Sequence, residues 1–491
     1  MHGNRRRPRN AVERKYSSRR RPAAGHSLAR RRLPGSPTHR YRNLPRWRCR
    51  VAKLDERQGM RRNPAALRTA KPLESLPLFA DLAKQTIPLA KMAAADKGDA
   101  FLALVRGFNR FGALTASFSE AGIPYLVNEF WTSGQRQAHS IHEVSYRACF
   151  KPQLPAFFIS SLTDPGDSVH DPFMGRGTTP VQAALMGRRP VGNDINPLSV
   201  LLTRPRLRPP SMSAIAARLK EVTWDSGTID REDLLAFYHP STLKGLCALK
   251  AWLLKRAPLD DPDPDPVDDW IRMVSLNRLT GHSPGFFSGR TMPPNQAVSV
   301  VSQLAMNAKS GVEPPPRDLV AVILKKSWSL LSDGAPSSHP PALLSVGLAS
   351  ATPGIEAGSI SLTVTSPPFL DIVQYAADNW LRCWFAGIDV GAIAIGMHRT
   401  EAAWTSMVRD VLAEQARILK PGGHVAFEVG EVRGGTVLLE KLVWMAAEGL
   451  PLERRAVLIN QQEFTKTANC WGVSNNKAGT NTNRIVLLRR A

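Results

Sequence analysis

The chain has 491 residues, 43% of them hydrophobic and 22% charged, with 65 Lys/Arg against 41 Asp/Glu for a formal net charge of +24. That length can bury a large core with room for two or three domains, and no run approaches the roughly 18 uncharged apolar residues that cross a bilayer. The most apolar candidate, residues 380–397, is broken by Arg382 and Asp389, so no membrane partner is expected. The five cysteines, Cys49, Cys149, Cys247, Cys383 and Cys470, are widely spaced with no Cys-x-x-Cys pair. This fits free thiols in a reducing cytoplasm and argues against structural zinc; no metal is expected.

The charge is unevenly placed. Residues 1–50 hold 17 Lys/Arg and a single acid, Glu13. Two-thirds of the net charge therefore sits in an Arg/Pro-rich head that cannot bury enough apolar surface to fold alone. We expect residues 1–90 to be a disordered basic head, with residues 1–59 dispensable. A nucleic-acid-binding arm, an organelle transit peptide and a start assigned too early, with translation beginning near Met60 or Met92, are the other accounts of it.

In chain order, residues 101–121 read as a helix interrupted by Gly and Phe, and residues 126–160 lead into the first strand. A strand at 167–170 ends in the Asp171-Pro172 turn. A helix follows at 177–186, then a short strand at 190–192 that closes at Asp194. From 205 to 357 the pattern changes. Helical stretches near 213–222, 241–256 and 317–331 are separated by Pro-rich loops, and a helical insertion that builds a substrate surface is expected. The stretch DDPDPDPVDD at 260–269 lacks the Gly and distal Glu of a calcium loop and reads as a solvated turn or linker. Beyond it come a buried strand at 360–364, an amphipathic helix at 404–419 and the Lys420-Pro421-Gly422-Gly423 break. Strands at 424–429, 456–460 and 484–488 complete the pattern. The alternation predicts an α/β fold, a doubly wound Rossmann-like sheet formed by residues 91–204 and 358–491 around the mainly helical insertion 205–357.

Two short segments carry the chemistry. The first is Asp171-Pro172-Phe173-Met174-Gly175-Arg176-Gly177-Thr178-Thr179. An adenosyl cofactor needs a chain that turns tightly off a strand, lets the ligand approach the backbone and then enters a helix. Gly175 and Gly177 supply the tolerance for positive φ, and Thr178 or Thr179 can cap the helix. The N–H groups there suit a carboxylate. Asp194 lies 23 residues after Asp171, in Gly192-Asn193-Asp194-Ile195-Asn196-Pro197, where an acid accepts hydrogen bonds from ribose hydroxyls. A nicotinamide site would want a third Gly where Pro180 stands.

The second segment is Thr365-Ser366-Pro367-Pro368-Phe369. An exocyclic base amine is a poor nucleophile because its lone pair is delocalised into the ring. Ser366 and the Pro367 carbonyl can accept its two hydrogens and draw the nitrogen towards sp³ geometry. Pro367 and Pro368 fix φ and stiffen the loop, and Phe369 offers a face on which a flipped base can stack.

Together the two segments resemble the cofactor and catalytic loops of the DNA N4-cytosine/N6-adenine methyltransferase family, and the likeness runs over about residues 131–491. His139-Ser140-Ile141-His142 through Phe150-Lys151-Pro152-Gln153-Leu154 resembles that family's extra N-terminal motif, which closes over the methionine end of the cofactor. The Leu419-Lys420-Pro421-Gly422-Gly423 segment resembles its later sheet motif. The resemblance implies S-adenosyl-L-methionine as cofactor, bound by Phe150, Lys151, Asp171, Pro172, Phe173, Gly175, Gly177, Thr178, Asp194, Asn196 and Thr365. It implies double-stranded DNA as substrate, a cognate restriction endonuclease as a candidate partner, and Ser366, Pro367, Pro368 and Phe369 as the catalytic group. Ser before Pro-Pro points to cytosine N4 within the family; Asp or Asn there would point to adenine N6. Phe369 replaces the usual Tyr. The cofactor loop also precedes the catalytic loop, opposite to many cytosine N4 enzymes, and this keeps adenine open. Cytosine C5 chemistry is disfavoured because no Pro-Cys dipeptide occurs, and a protein-glutamine methylase would want Asn-Pro-Pro-Tyr. An RNA base methyltransferase and a non-catalytic nucleic-acid-binding protein are the remaining rivals.

For target reading, residues 276–309 are the expected region. Arg278, Arg290 and Lys309 suit phosphates, Asn295 and Gln296 suit bidentate base contacts, and Phe286 or Phe287 could wedge or stack. The Asn- and Thr-rich stretch 460–483 adds Lys466, Trp471 and Asn476 as candidates at a base or phosphate.

Overall fold

Short β-branched and aliphatic runs bounded by Gly, Pro and Asp make the strands. In the computed structural model they join into one mixed sheet. The structure describes residues 94–132, 138–147, 149–291, 297–336, 338–370, 375–393, 398–433, 436–461 and 482–491. The expected basic head and Asn295, Gln296, Lys466, Trp471 and Asn476 lie outside them. Among the described residues no helix is long and apolar enough to cross a membrane.

The strands are β1 Ala116–Glu120, β2 Ile123–Asn128, β3 Ser168–Asp171, β4 Arg189–Asp194, β5 Leu343–Val346, β6 Ile360–Thr365 and β7 Leu419–Val429. After them come a two-stranded ribbon of β8 Glu431–Val432 and β9 Val437–Leu438, then β10 Leu452–Gln461 and β11 Thr482–Arg490. The main sheet runs β1-β2-β10-β11-β7-β6-β3-β4-β5. From β5 to β7 all neighbours are parallel. β11 inserts antiparallel between β7 and β10, and the β1–β2 hairpin closes the far edge through a parallel β2–β10 pairing.

Both faces of the sheet are covered, which is why its central strands are apolar on both sides. One face packs Val169, Leu362, Val364, Ala426 and Ile485 against helices α1 (Ala94–Arg106) and α2 (Gln153–Leu162). The other face packs Val425, Phe427 and Val486 against α11 (Glu401–Ile418) and α12 (Leu439–Ala446). Helix α11 shows why: Trp404, Val408, Val411, Leu412, Gln415 and Ile418 are buried at the three- and four-residue spacing that puts them on one stripe. Each such aliphatic side chain contributes about 1.5–3 kcal/mol on burial. The chain is thus doubly wound, with helices on either face.

Between β3 and β7 the remaining helices are α3 Thr178–Leu185, α4 Leu198–Leu207, α5 Met212–Leu219, α6 Pro240–Arg256, α7 Pro266–Arg278, α8 Val300–Ser310, α9 Leu319–Leu330 and α10 Tyr375–Ala386. From α4 onward these build a separate hydrophobic cluster around Trp270, Phe237, Leu246 and Phe287. The stretch 205–357 is therefore mainly helical. Its end is not a helix, however: β5 lies inside that stretch and pairs in parallel with β4.

Several local expectations need correction. Residues 107–121 are not helical. Helix α1 stops at Arg106, Gly112 sits at φ 91°, and Ala121 and Gly122 turn the β1–β2 hairpin at φ 50° and 77°. Residues 126–160 hold part of β2 and most of α2, not merely a lead-in. The Lys420-Pro421-Gly422-Gly423 segment is carried within β7. The acidic stretch is only partly a solvated turn. Asp265 caps α7 by accepting from the Val267 and Asp268 backbone N–H groups, and Asp268 and Asp269 are buried. Asp268 pairs with Arg218 and Arg256, and Asp269 pairs with Arg204 at 2.7 Å. Such partners offset the cost of burying a carboxylate.

Candidate active site

Strands β3 and β6 lie side by side, and the chain leaves them in opposite directions across the sheet: β4 and β5 on one side, β7 on the other. The carboxyl ends of such a pair open a crevice where ligands bind in doubly wound sheets. Asp171 ends β3 and Thr365 ends β6, and the Thr365 hydroxyl donates to Asp171 Oδ1 at 2.6 Å. This bond joins two segments separated by almost 200 residues of chain.

The first loop is held from below by carboxylates. Asp171 Oδ1 also accepts from the Phe173 N–H at 3.1 Å. Asp194, at the end of β4, accepts from the Gly175 N–H at 2.8 Å through Oδ2 and from the Asn196 N–H at 2.9 Å through Oδ1. Gly175 and Gly177 sit at φ 50° and 75°. A Cβ on Gly177 would come 2.2 Å from the Thr203 hydroxyl, so this glycine is required twice, by conformation and by contact. The expected Thr cap is not formed. Gly177 itself is the N-cap of α3, with no side-chain bond. The Thr179 hydroxyl instead donates to the Val364 carbonyl at 3.0 Å, and Thr178 Oγ1 accepts from Arg176 Nε at 3.2 Å.

Burial pushes the Asp194 carboxyl up from its ordinary value, against the pull of the Asn196 and Gly175 N–H bonds. It pushes Asp171 up to about 7, against the bonds from Thr365 and Phe173. An acid whose folded value is raised binds more protons folded than unfolded, so its contribution to stability is lost as pH rises from about 4 to about 7. Asp171→Asn keeps the two acceptor bonds and removes the charge. The melting temperature of Asp171→Asn relative to the parent is therefore expected to climb between pH 5 and pH 8; a flat difference would contradict the burial of an ionising group there.

The crevice encloses roughly 1080 Å³ of space, part of it open to solvent. Of the expected cofactor residues, Phe150, Asp171, Pro172, Phe173, Gly175, Thr178, Asp194 and Asn196 line it, as do Ser366 and Pro368 of the second loop. Lys151, Gly177, Thr365, Pro367 and Phe369 do not line it. Lys151 is half-buried with its ammonium disfavoured by burial and by Arg176. Gly177 and Thr365 act on the loop's shape, and Phe369 leans on the α11 side of the core. Sequence reasoning missed Tyr146, Cys149, Ile195, the 348–350 segment after β5, His398, Met407 and Val411. The position of 348–350 at the end of a parallel strand was a usable signal, had β5 been recognised. The N-terminal motif is locked down by Arg176, which donates to the Val144 carbonyl at 2.8 Å and the Phe150 carbonyl at 3.4 Å. The second loop is pinned where the Trp404 indole N–H donates to the Pro368 carbonyl at 2.9 Å.

The lining fits S-adenosyl-L-methionine chemically. Phe173, Ile195, Leu348 and Val411 offer apolar walls for a flat base. Asp194 offers acceptors for ribose hydroxyls, and the Asp171 carboxyl lies close to the loop's exposed backbone.

The residues expected at nucleic acid fare unevenly. Arg290 and Lys309 are exposed. Arg278 is not a free phosphate ligand: it donates to Asn277 Oδ1 at 2.7 Å and lies 4.1 Å over the Phe286 ring. Burial and nearby Arg382 bring its value down to about 10. Phe286 and Phe287 are buried, at 8% and 0% exposure, so neither is a wedge in this conformation.

Residues 122–202 match the family model described as DNA methylase of the N6/N4 type. The match spans β2, the N-terminal motif, the first loop and Asp194. Over this stretch the chain is similar to N6/N4-type DNA methylases. The Type II methyltransferase M.MjaII of Methanocaldococcus jannaschii is 40% identical over 73 residues, 15% of this chain and 13% of that protein, so the chain spans only a small fraction of the relative's length. Among solved structures, a TehB-like SAM-dependent methyltransferase from Corynebacterium glutamicum aligns at 9% identity over 69% of this chain and 87% of its own, with a TM-score of 0.25. A SAM-dependent methyltransferase from Methanosarcina mazei aligns at 10% identity over 68% and 96%, with a TM-score of 0.28. The sheet order, not these alignments, defines the architecture. The matched segment carries the crevice floor; the second loop, Thr365 to Phe369, comes from outside it.

Proposed function

We propose that the chain transfers a methyl group from S-adenosyl-L-methionine to an exocyclic amine of a base in double-stranded DNA, and that the amine is N4 of cytosine. The supporting observation is the Thr365–Asp171 hydrogen bond. It sets Ser366 and Pro368 on the wall of the same crevice as Asp194 and Gly175, so one bound donor and one inserted base would meet there.

The cofactor, when bound, supplies an activated methyl on a sulfonium. The chain has to hold and orient the amine. Ser366 accepts one amine hydrogen and the Pro367 carbonyl the other, which favours a pyramidal nitrogen with its lone pair free. The two prolines and the Trp404 bond keep those acceptors in place before the base arrives. Ser366 in place of Asp or Asn supports cytosine over adenine. The test is nucleoside analysis of DNA from cells expressing the chain against an empty-vector control, with N4-methylcytosine expected. Only N6-methyladenine would replace the cytosine assignment and leave the mechanism standing; no methylated base would overturn the proposal.

Two further results are expected. Asp194→Ala should weaken cofactor binding by about 1–3 kcal/mol, the cost of losing a buried acceptor; equal affinity by calorimetry would remove Asp194 from the site. Phe369→Ala should weaken capture of the flipped base by about 1–3 kcal/mol, with Phe369→Tyr tolerated because the ring is kept. Unchanged KM for DNA in Phe369→Ala would end the stacking role.

A further inference from the structure

Strands β6 and β7 are parallel and in register, with Val364 beside Ala426 and Thr365 beside Phe427. Val364 and Ala426 pack into the same hydrophobic cluster. One residue further along each strand, Ser366 and Glu428 therefore fall side by side. Side chains two apart share a face, so both project towards the side that Val364 and Ala426 occupy. The Ser366 side chain is a hydrogen-bonding neighbour of the Glu428 carboxyl and pulls against the burial that raises it. Glu428 Oε1 accepts from the Asn483 side-chain amide on β11 at 2.9 Å. Glu428 is 7% exposed, and among the described residues it forms no salt bridge. A buried carboxylate without a cation is costly, and packing does not require it at a site where an amide or an apolar residue would fill the same space.

We propose that Glu428 is a positioning residue that makes Ser366 a one-way acceptor towards the target base. A serine hydroxyl has one proton to give and two lone pairs to receive with. Left free, it can face a base amine or a base carbonyl equally well. Tied to a carboxylate, its proton is committed away from the crevice and its lone pairs face inward. Such a group takes hydrogens from an amine and offers none to a carbonyl oxygen. Asn483 completes the device by holding the carboxylate through Oε1 and fixing its plane. The inference rests on the proposed role of Ser366 and adds the source of its selectivity: a pyrimidine bearing an amine at position 4 is accepted, and one bearing a carbonyl there is refused.

The test is single-turnover methylation by the full chain, with cofactor affinity measured alongside by calorimetry. Glu428→Gln keeps the side chain's size and its bond to Asn483 through the amide oxygen, and turns an N–H towards Ser366. Methyl transfer is expected to slow roughly tenfold to a hundredfold, less than the full loss of a transition-state hydrogen bond, with cofactor affinity unchanged. Asn483→Leu should slow it a few-fold to about tenfold by loosening the carboxylate. The double variant Ser366→Ala/Glu428→Gln should be no slower than Ser366→Ala, because Glu428 acts only through that hydroxyl; a merely structural role would add to the loss. Slow Ser366→Ala with Glu428→Gln at the parent rate would overturn the inference and leave the proposed function standing. Ser366→Ala at the full rate would remove the catalytic role of Ser366 and the inference with it. If Glu428→Gln does not fold, Asn483→Leu decides: the parent rate in that variant overturns the inference.

Discussion

Ser366→Ala is expected to slow methyl transfer by roughly one to three orders of magnitude, the loss that follows removal of one preorganised transition-state hydrogen bond, while cofactor affinity stays within about twofold. The geometry separates the two effects. Ser366 lies on the crevice wall contributed by the second loop, and its side-chain partner is Glu428 on β7. The groups that shape the cofactor loop are others: Asp194 with Gly175 and Asn196, and Asp171 with Phe173. Truncating the hydroxyl leaves Thr365, and so the bond to Asp171, in place. Because the bond to the amine strengthens as the nitrogen pyramidalises, the loss should appear in the single-turnover rate and not in DNA affinity. A Ser366→Ala enzyme with full single-turnover activity would sink the mechanism.

Gly177→Ala is expected to abolish measurable cofactor binding at ordinary concentrations and to lower the melting temperature, whereas Gly175→Ala is expected to do much less. Both residues have positive φ, which costs a non-glycine residue about 1–2 kcal/mol. The difference is contact. At Gly175 an added Cβ meets nothing closer than 3.7 Å, an ordinary van der Waals distance. At Gly177 it would sit 2.2 Å from the Thr203 hydroxyl and 2.8 Å from the Thr203 Cβ, in the middle of α4. Thr203 is fully buried and cannot turn away, so overpacking adds about 1–3 kcal/mol at the base of the cofactor loop. Melting and calorimetry on the two variants read this directly. Equal losses at 175 and 177 would show that conformation alone governs the loop.

Much of the sheet was legible because its strands are short apolar runs closed by turn residues. The runs ending at Asp171, Asp194 and Thr365 could each be placed within a residue or two, and the run ending at Val429 was placed at its end but not at its start. Elements whose stability is supplied by their neighbours were not legible. Strand β1, with Ser117, Phe118 and Ser119, has no buried position and exists by pairing with β2. Strand β5 is four residues long and only partly buried, and it is a strand because β4 offers a parallel edge. Helix α7 was hidden behind an acid-and-proline stretch whose charges make sense only beside Arg204, Arg218 and Arg256. The surroundings of two recognition candidates were hidden for the same reason. A single Arg or Phe carries no mark of burial, and Arg278 and Phe286 spend their surface on one another.

The sequence by itself determined the two loops and the residue types they present. Gly-x-Gly after a strand, an acid at the next strand end and Ser-Pro-Pro-Phe after another are local patterns, set by backbone conformation and side-chain type within a few residues. Tertiary structure alone decided that the loops share a crevice. That depends on β3 and β6 becoming sheet neighbours across the helical insertion, so that Thr365 reaches Asp171. It also decided that Glu428 stands behind Ser366, because strand register is fixed by which faces are buried and not by any residue spacing along the chain.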